Sequence, residues 1–291
     1  MMSHIIIMAT GALAAAVCAL LGCFLILRRM AMIGDAISHS VLPGIVIAFL
    51  LSGSRDSLLM MFGASVIGLL TVFFIQMFRQ GGVQSDASIG VVFTSLFAVG
   101  VILVSLYTRR IDLDLDCVLY GEIAYVPFQT IDLFGFGVPK ATFGLALTFL
   151  VCAVVVGLFY KQFKICSFDP ALAAALGIPA AFFHYLLMGL VSLATVSSFE
   201  SVGAILVVGM LVVPAAAAYL LVESLAKMIG LAMLLGVLSS VFGYGLAYVL
   251  DASIAGSMIA VSGIFFLAAL MFSPAHGVLL RKRRLQRPAE G

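Results

Sequence analysis

Nine apolar runs, each near the length of a bilayer-spanning helix, leave this 291-residue chain few ways to fold. They occupy 5–27, 31–51, 57–78, 88–107, 141–160, 180–198, 202–222, 228–250 and 253–272. A hydrocarbon core of about 30 Å is crossed by ~20 residues of helix. Inside that core every backbone N–H and C=O must find its partner within the protein, which a helix does along its own length. The chain is 64% hydrophobic and only 10% charged, where a soluble domain carries about 25% charged residues. No stretch between the runs is long and polar enough to form a soluble domain. Residues 1–291 therefore read as one transmembrane domain, an all-α polytopic helical bundle. Pro214 offers a break in the seventh run, which would reduce the nine spans to eight.

Charge orients the bundle. With the C-terminus on the cytoplasmic side, eleven of the fifteen basic residues fall inside, among them Arg28, Arg29, Arg79, Lys161, Lys164 and the tail from Arg281 to Arg287. Most acids fall outside, and an odd number of spans puts the N-terminus outside as well. The run 5–27 reads as a retained span and not a cleaved leader, since no basic segment precedes it and apolar sequence continues past Cys23. The five cysteines form no CxxC pair and read as small apolar fillers. The outer loop 108–140 alternates acid and leucine from Asp112 to Asp116. Its sixth and twelfth positions, Cys117 and Ile123, exclude a calcium loop; the segment reads as a solvated amphipathic loop, with an acidic lip that gathers cations or docks a partner as the alternative. The net charge of +2, with no basic patch interleaved with aromatics, gives no sign of nucleic-acid binding.

One apolar run carries a polar pair. Residues 28–44 read RRMAMIGDAISHSVLPG, and Asp35 and His39 stand four apart. On a helix they share a face about 6 Å apart along the axis, within reach of one ligand. Ionisable groups in a span mark functional sites by default. By helix rise Asp35 is about 10 Å from Arg29 and His39 about 15 Å, in the inner half of the membrane. A plainer reading has Asp35 capping the helix after Gly34 and His39 bonded to a backbone carbonyl; the two roles are compatible.

The inner connection 161–179 contains a short helix with its own punctuation. Asp169 followed by Pro170 is an N-cap with proline at the first helical position, and Gly177 and Pro179 end the segment. There is no GxxxxGK[ST] to cradle a nucleotide and no HExxH. Ser38 and His39 diverge by about 100° on a helix and form no nucleophile–base pair. No catalytic constellation is legible in these residues, so they do not point to an enzyme.

Three stretches together resemble the zinc/manganese/iron (ABC-3 type) permeases of ABC transporters: 27–44, then 167–178, then VGAILVVGMLVVPAAAA at 202–218. The likeness covers nearly the whole chain in the same order. It implies a type II ABC importer-like bundle of about 8–9 transmembrane helices, multi-pass in the cell membrane, moving Zn²⁺, Mn²⁺ or Fe²⁺ inward with no permanently bound cofactor. Implied partners are cytoplasmic ABC ATPase subunits, an extracytoplasmic metal-binding protein, a second permease copy or a paralogue, and membrane lipid. Asp35 and His39 become candidate metal ligands; two copies would offer two carboxylates and two imidazoles, a set suited to these borderline metals. The segment near 166–178 becomes the ATPase-coupling element, with Phe168, Asp169, Pro170, Leu172, Leu176 and Gly177 as its contact residues. Glu200 is a candidate for the outer entrance or for contact with the binding protein. The alternative is an ATP-independent secondary metal carrier.

Overall fold

The computed structural model describes residues 2–52, 57–107, 123–128, 130–133 and 136–273. Among them run twelve α-helices: α1 (Met2–Leu27), α2 (Met32–Ser40), α3 (Leu42–Ser52), α4 (Ser57–Gln80), α5 (Ser85–Tyr107), α6 (Lys140–Leu158), α7 (Tyr160–Phe168), α8 (Pro170–Ala175), α9 (Ala180–Val202), α10 (Ala204–Leu221), α11 (Leu225–Leu250) and α12 (Ile254–Phe272). The outer loop adds a 3₁₀ turn, Ile123–Phe128, and a ribbon of β1 (Thr130–Leu133) and β2 (Phe136–Pro139). The strands run antiparallel, Thr130 opposite Pro139 and Leu133 opposite Phe136. This ribbon departs from an otherwise all-helical expectation. The acid–leucine segment 112–116, Glu122 and Cys117 lie outside the described residues, as do His276 and the basic tail.

Among the described residues, nine helical segments are long and apolar enough to span, with α2 and α3 counted as one. The division expected at Pro214 does not occur: α10 runs through it. Two other places interrupt the path. At Val41 the second span breaks into α2 and α3, because Pro43 has no N–H to give the His39 carbonyl four residues before it. At Gly203, α9 and α10 meet on a single residue with φ +80° and ψ 161°, a conformation open to glycine almost alone.

α1 is the most buried span and the centre of the bundle, packed by α6, α9, α10 and α11. Its sequence explains the position. Ala14, Ala15, Cys18, Ala19 and Cys23 are all buried, so its surface is thin enough for neighbours to close in on several sides. Gly22 is the closest approach: a Cβ there would overlap the carbonyl oxygen of Leu211 on α10. Backbone cannot yield as a side chain can. We expect Gly22→Val to lower stability by about 3 kcal/mol or more, read as a lowered unfolding temperature in detergent against a Gly230→Ala control, where a Cβ meets nothing. Four cysteines, Cys18, Cys23, Cys152 and Cys166, are buried and free, as fillers should be.

The polar stretch 161–168, expected as part of the connection 161–179, is helical and belongs to α7. The chain turns at Phe159 and α7 continues, held by Phe163, which is buried against Phe24 and Phe183 with ring centroids 5.7 and 5.6 Å away.

Candidate functional site

Helix α2 starts at Met32, one turn before Asp35, so Asp35 is not its cap; the flanking Ala31 makes no side-chain capping bond. Gly34 lies inside the helix, where a side chain would run into Leu211 of α10. Ile33, Gly34 and Ile37 thus form the inward face, and the opposite face carries the polar pair. His39 Nε2 is 3.5 Å from Asp35 Oδ1, with side chains 34% and 36% exposed. This is the one ion pair among the described residues. It replaces the plainer expectation of a capping carboxylate and an imidazole bonded to backbone.

The pair is gripped from behind and flanked on one side. Ser40 Oγ lies 2.7 Å from Thr71 Oγ1, a buried hydroxyl pair that fixes α2 on α4. Ser38 Oγ donates to Gly34 O at 2.9 Å, within α2 itself. The His39 ring has Phe93 and Phe97 of α5 beside it, at centroid distances of 6.1 and 6.3 Å. Neither the two phenylalanines nor the Ser40–Thr71 tie was singled out from sequence, because each depends on which helices become neighbours. No group of three or more His, Cys, Asp or Glu side chains converges anywhere among the described residues. One chain therefore offers two side-chain donors at this place and leaves them half open.

The segment 168–177 is built as its punctuation predicts. Asp169 Oδ1 accepts from the Leu172 N–H at 2.9 Å, with Pro170 in the first turn. At the other end the Ile178 N–H donates to Ala173 O at 2.9 Å and the Gly177 N–H to Ala174 O at 3.0 Å, with Gly177 at φ +74°. That is the Schellman pattern of a glycine stop. Ala173 faces the protein, while Phe168, Leu172 and Leu176 are exposed at 57, 49 and 60%. Phe168 ends α7, Leu172 lies on α8 and Leu176 follows it, so the corner exposes an apolar patch that nothing among the described residues covers.

The remaining candidates sit elsewhere. Glu200 belongs to the last turn of α9 and not to a loop. His4, at the outer end of α1, lies against Tyr244 and Tyr248 of α11. His184 is near the opposite end of the bundle, beside a cavity that also meets Arg28 and Arg79.

Comparison with known proteins now adds to this geometry. A model of the ABC 3 transport family matches residues 2–273. The chain is 53% identical over 279 residues to the manganese transport system membrane protein MntD of Bacillus subtilis, covering 96% of this chain and 95% of that one. It is 40% identical over 265 residues to the zinc transport system membrane protein TroD of Treponema pallidum, covering 91% of this chain and 72% of that one. Among solved structures, PsaBC from Streptococcus pneumoniae in complex with Fab superposes with a TM-score of 0.80 at 35% identity, over 95% of this chain and 94% of that one.

Proposed function

We propose, from the premise that this chain belongs to the ABC 3 transport family, that Asp35 and His39 form the waypoint at which its cargo, a divalent transition metal ion, is passed inward. The protein is a multi-pass membrane permease, the transport subunit of an ABC importer, and ATP is hydrolysed on a separate subunit. Manganese, zinc and iron are cargo classes named for its relatives. A secondary carrier finds no support in this family membership.

The single observation that carries the reading is the Asp35–His39 pair, together on one face and one-third exposed. A carboxylate and an imidazole suit Mn²⁺, Zn²⁺ or Fe²⁺ and are too hard a set for Cu(I). Two donors are too few to trap an ion, and a permease needs a site that lets go. A second permease copy across a twofold axis doubles the set to four, with water free to complete it. The phenyl rings beside His39 limit that water on one side. The whole chain then acts as one permease domain, with the segment near 166–178 as its coupling element to the ATPase. Glu200, in the last turn of α9, is assigned to the outer entrance or the docking of an extracytoplasmic metal-binding protein.

The test is uptake of labelled Mn²⁺ and Zn²⁺ into proteoliposomes holding the permease with its ATPase subunit. Uptake stops when ATP is withheld, and an excess of the preferred ion competes with the other. Continued uptake without ATP would establish the secondary carrier instead.

A further inference from the structure

A cavity of about 480 Å³ opens between the ends of α1, α4 and α9, with the start of α8 at its edge. This is the side that the distribution of basic residues assigns to the cytoplasm. Among the described residues its charged lining is entirely basic, Arg28, Arg29 and Arg79, with His184 beside them and no aspartate or glutamate.

The donors here are not used up. Arg28 donates through Nε to Ser167 Oγ at 3.0 Å. Its Nη2 is buried and finds no acceptor, and the buried Nε2 of His184 is likewise unpartnered. Arg79 Nη1 has only the Met30 sulfur, 3.9 Å away. Burial also pulls the Arg28 pKa below the ordinary arginine value, a sign of charge removed from water without compensation. Leaving a buried donor unsatisfied costs about 1–3 kcal/mol, more for a charged group. An oxyanion placed in this cavity relieves that cost.

We infer that the cavity binds the phosphate of an anionic phospholipid headgroup from the cytoplasmic leaflet. The depth is right, because Arg28 follows directly on the last residue of α1 and Arg79 lies in the last turn of α4. Basic pockets between helix ends on this side are a recurring form of lipid site. A track for the acyl chain leads away from it. On α4, Leu69, Phe73, Gln76 and Gln80 recur at intervals of four, three and four, one stripe of the helix. Gln76 and Gln80 reach the cavity, while Leu69 and Phe73 are exposed further into the membrane. Across from them, Gly189 on α9 stands one turn beyond Tyr185, which also lines the cavity. Gly189 presents bare backbone beside Leu69: a Cβ there would meet only Leu69, in ordinary contact at 3.6 Å.

The test is native mass spectrometry of the delipidated permease, alone and with its ATPase subunit, titrated with phosphatidylglycerol or phosphatidylcholine. We expect one phosphatidylglycerol per chain in preference to phosphatidylcholine. Arg28→Gln with Arg79→Gln should weaken it at least about tenfold, the loss of one charge-assisted bond. Lys161→Gln, on the same side but away from the cavity, should leave it unchanged. Arg79 is exposed, so Arg79→Gln alone leaves the fold intact and must still weaken the lipid. Equal retention of both lipids, or no effect of either variant, overturns the site. Displacement by millimolar inorganic phosphate assigns it to a free anion, and loss of lipid when the ATPase subunit is added assigns it to a carboxylate of that subunit. Either result also overturns the lipid reading.

Discussion

Metal uptake falls by about 100-fold or more when Asp35 or His39 is replaced by alanine, since even groups that merely orient metal ligands cost 10–100-fold when removed. The two substitutions spare the fold. Both side chains lie on the face of α2 turned away from α10, each about one-third exposed, and the hydroxyl tie from Ser40 to Thr71 remains in place. Unfolding temperatures should therefore stay near that of the parent. Asp35→Asn sharpens the point, because it keeps the shape and removes the charge. An amide oxygen binds a divalent ion far more weakly than a carboxylate does, so this variant should transport no better than Asp35→Ala. The double variant is expected to be no worse than either single one, as befits two ligands of one ion. Uptake at the parental rate in Asp35→Ala and His39→Ala, measured with labelled Mn²⁺ and Zn²⁺ in the presence of ATP, would falsify the ligand assignment.

Recharging the apolar patch on and beside α8 should separate ATP hydrolysis from transport. Phe168 at the end of α7, Leu172 on α8 and Leu176 just past it are exposed, and burying a leucine in an interface contributes about 1.5–3 kcal/mol. Leu172→Asp removes that gain and adds an uncompensated charge. A loss of about 3 kcal/mol corresponds to a more than 100-fold weaker hold on the ATPase subunit. The expected result is ATPase activity that no longer responds to the binding protein and metal, with uptake abolished and the permease itself stably folded. Asp169→Ala should give a milder form of the same defect. It removes the bond to the Leu172 N–H and about 1 kcal/mol of helix stability, without touching the apolar patch. Normal coupling in Leu172→Asp, judged by metal-stimulated hydrolysis and by co-purification, rules out α8 as the contact.

Much of this architecture was legible in one dimension because the bilayer imposes it. Nine spans follow from run length alone. The ends of α8 follow from Asp169, Pro170 and Gly177, whose effects are local. The pairing of Asp35 with His39 needs only the helical period. Other features depend on information that no local pattern holds. Pro214 looked like the breaker, yet α10 absorbs it. The actual interruptions fall at Val41, where Pro43 two residues on withholds a donor, and at Gly203, where a single glycine replaces a loop. The polar run 161–168 looked like part of a connection, but Phe163 found Phe24 and Phe183, and burial made it a helix. Arg28, Arg79 and His184 lie at or near the ends of three helices that are separate in the chain. Their convergence on one cavity is a property of packing, as is the placement of Phe93 and Phe97 beside His39.

The junction at Gly203 also fixes how this protein can change over time or by engineering. A connection of one residue has no slack. Adding a residue there advances α10 by about 1.5 Å and turns it by about 100°, which carries Leu206, Met210 and Leu211 out of the positions they fill. Loops elsewhere in a membrane bundle accept epitope tags and length variation, but this corner should tolerate neither. An insertion scan along the chain would therefore show a sharp gap between 202 and 204, at the outer end of α9 and α10, where Val202 and Ala204 are both buried.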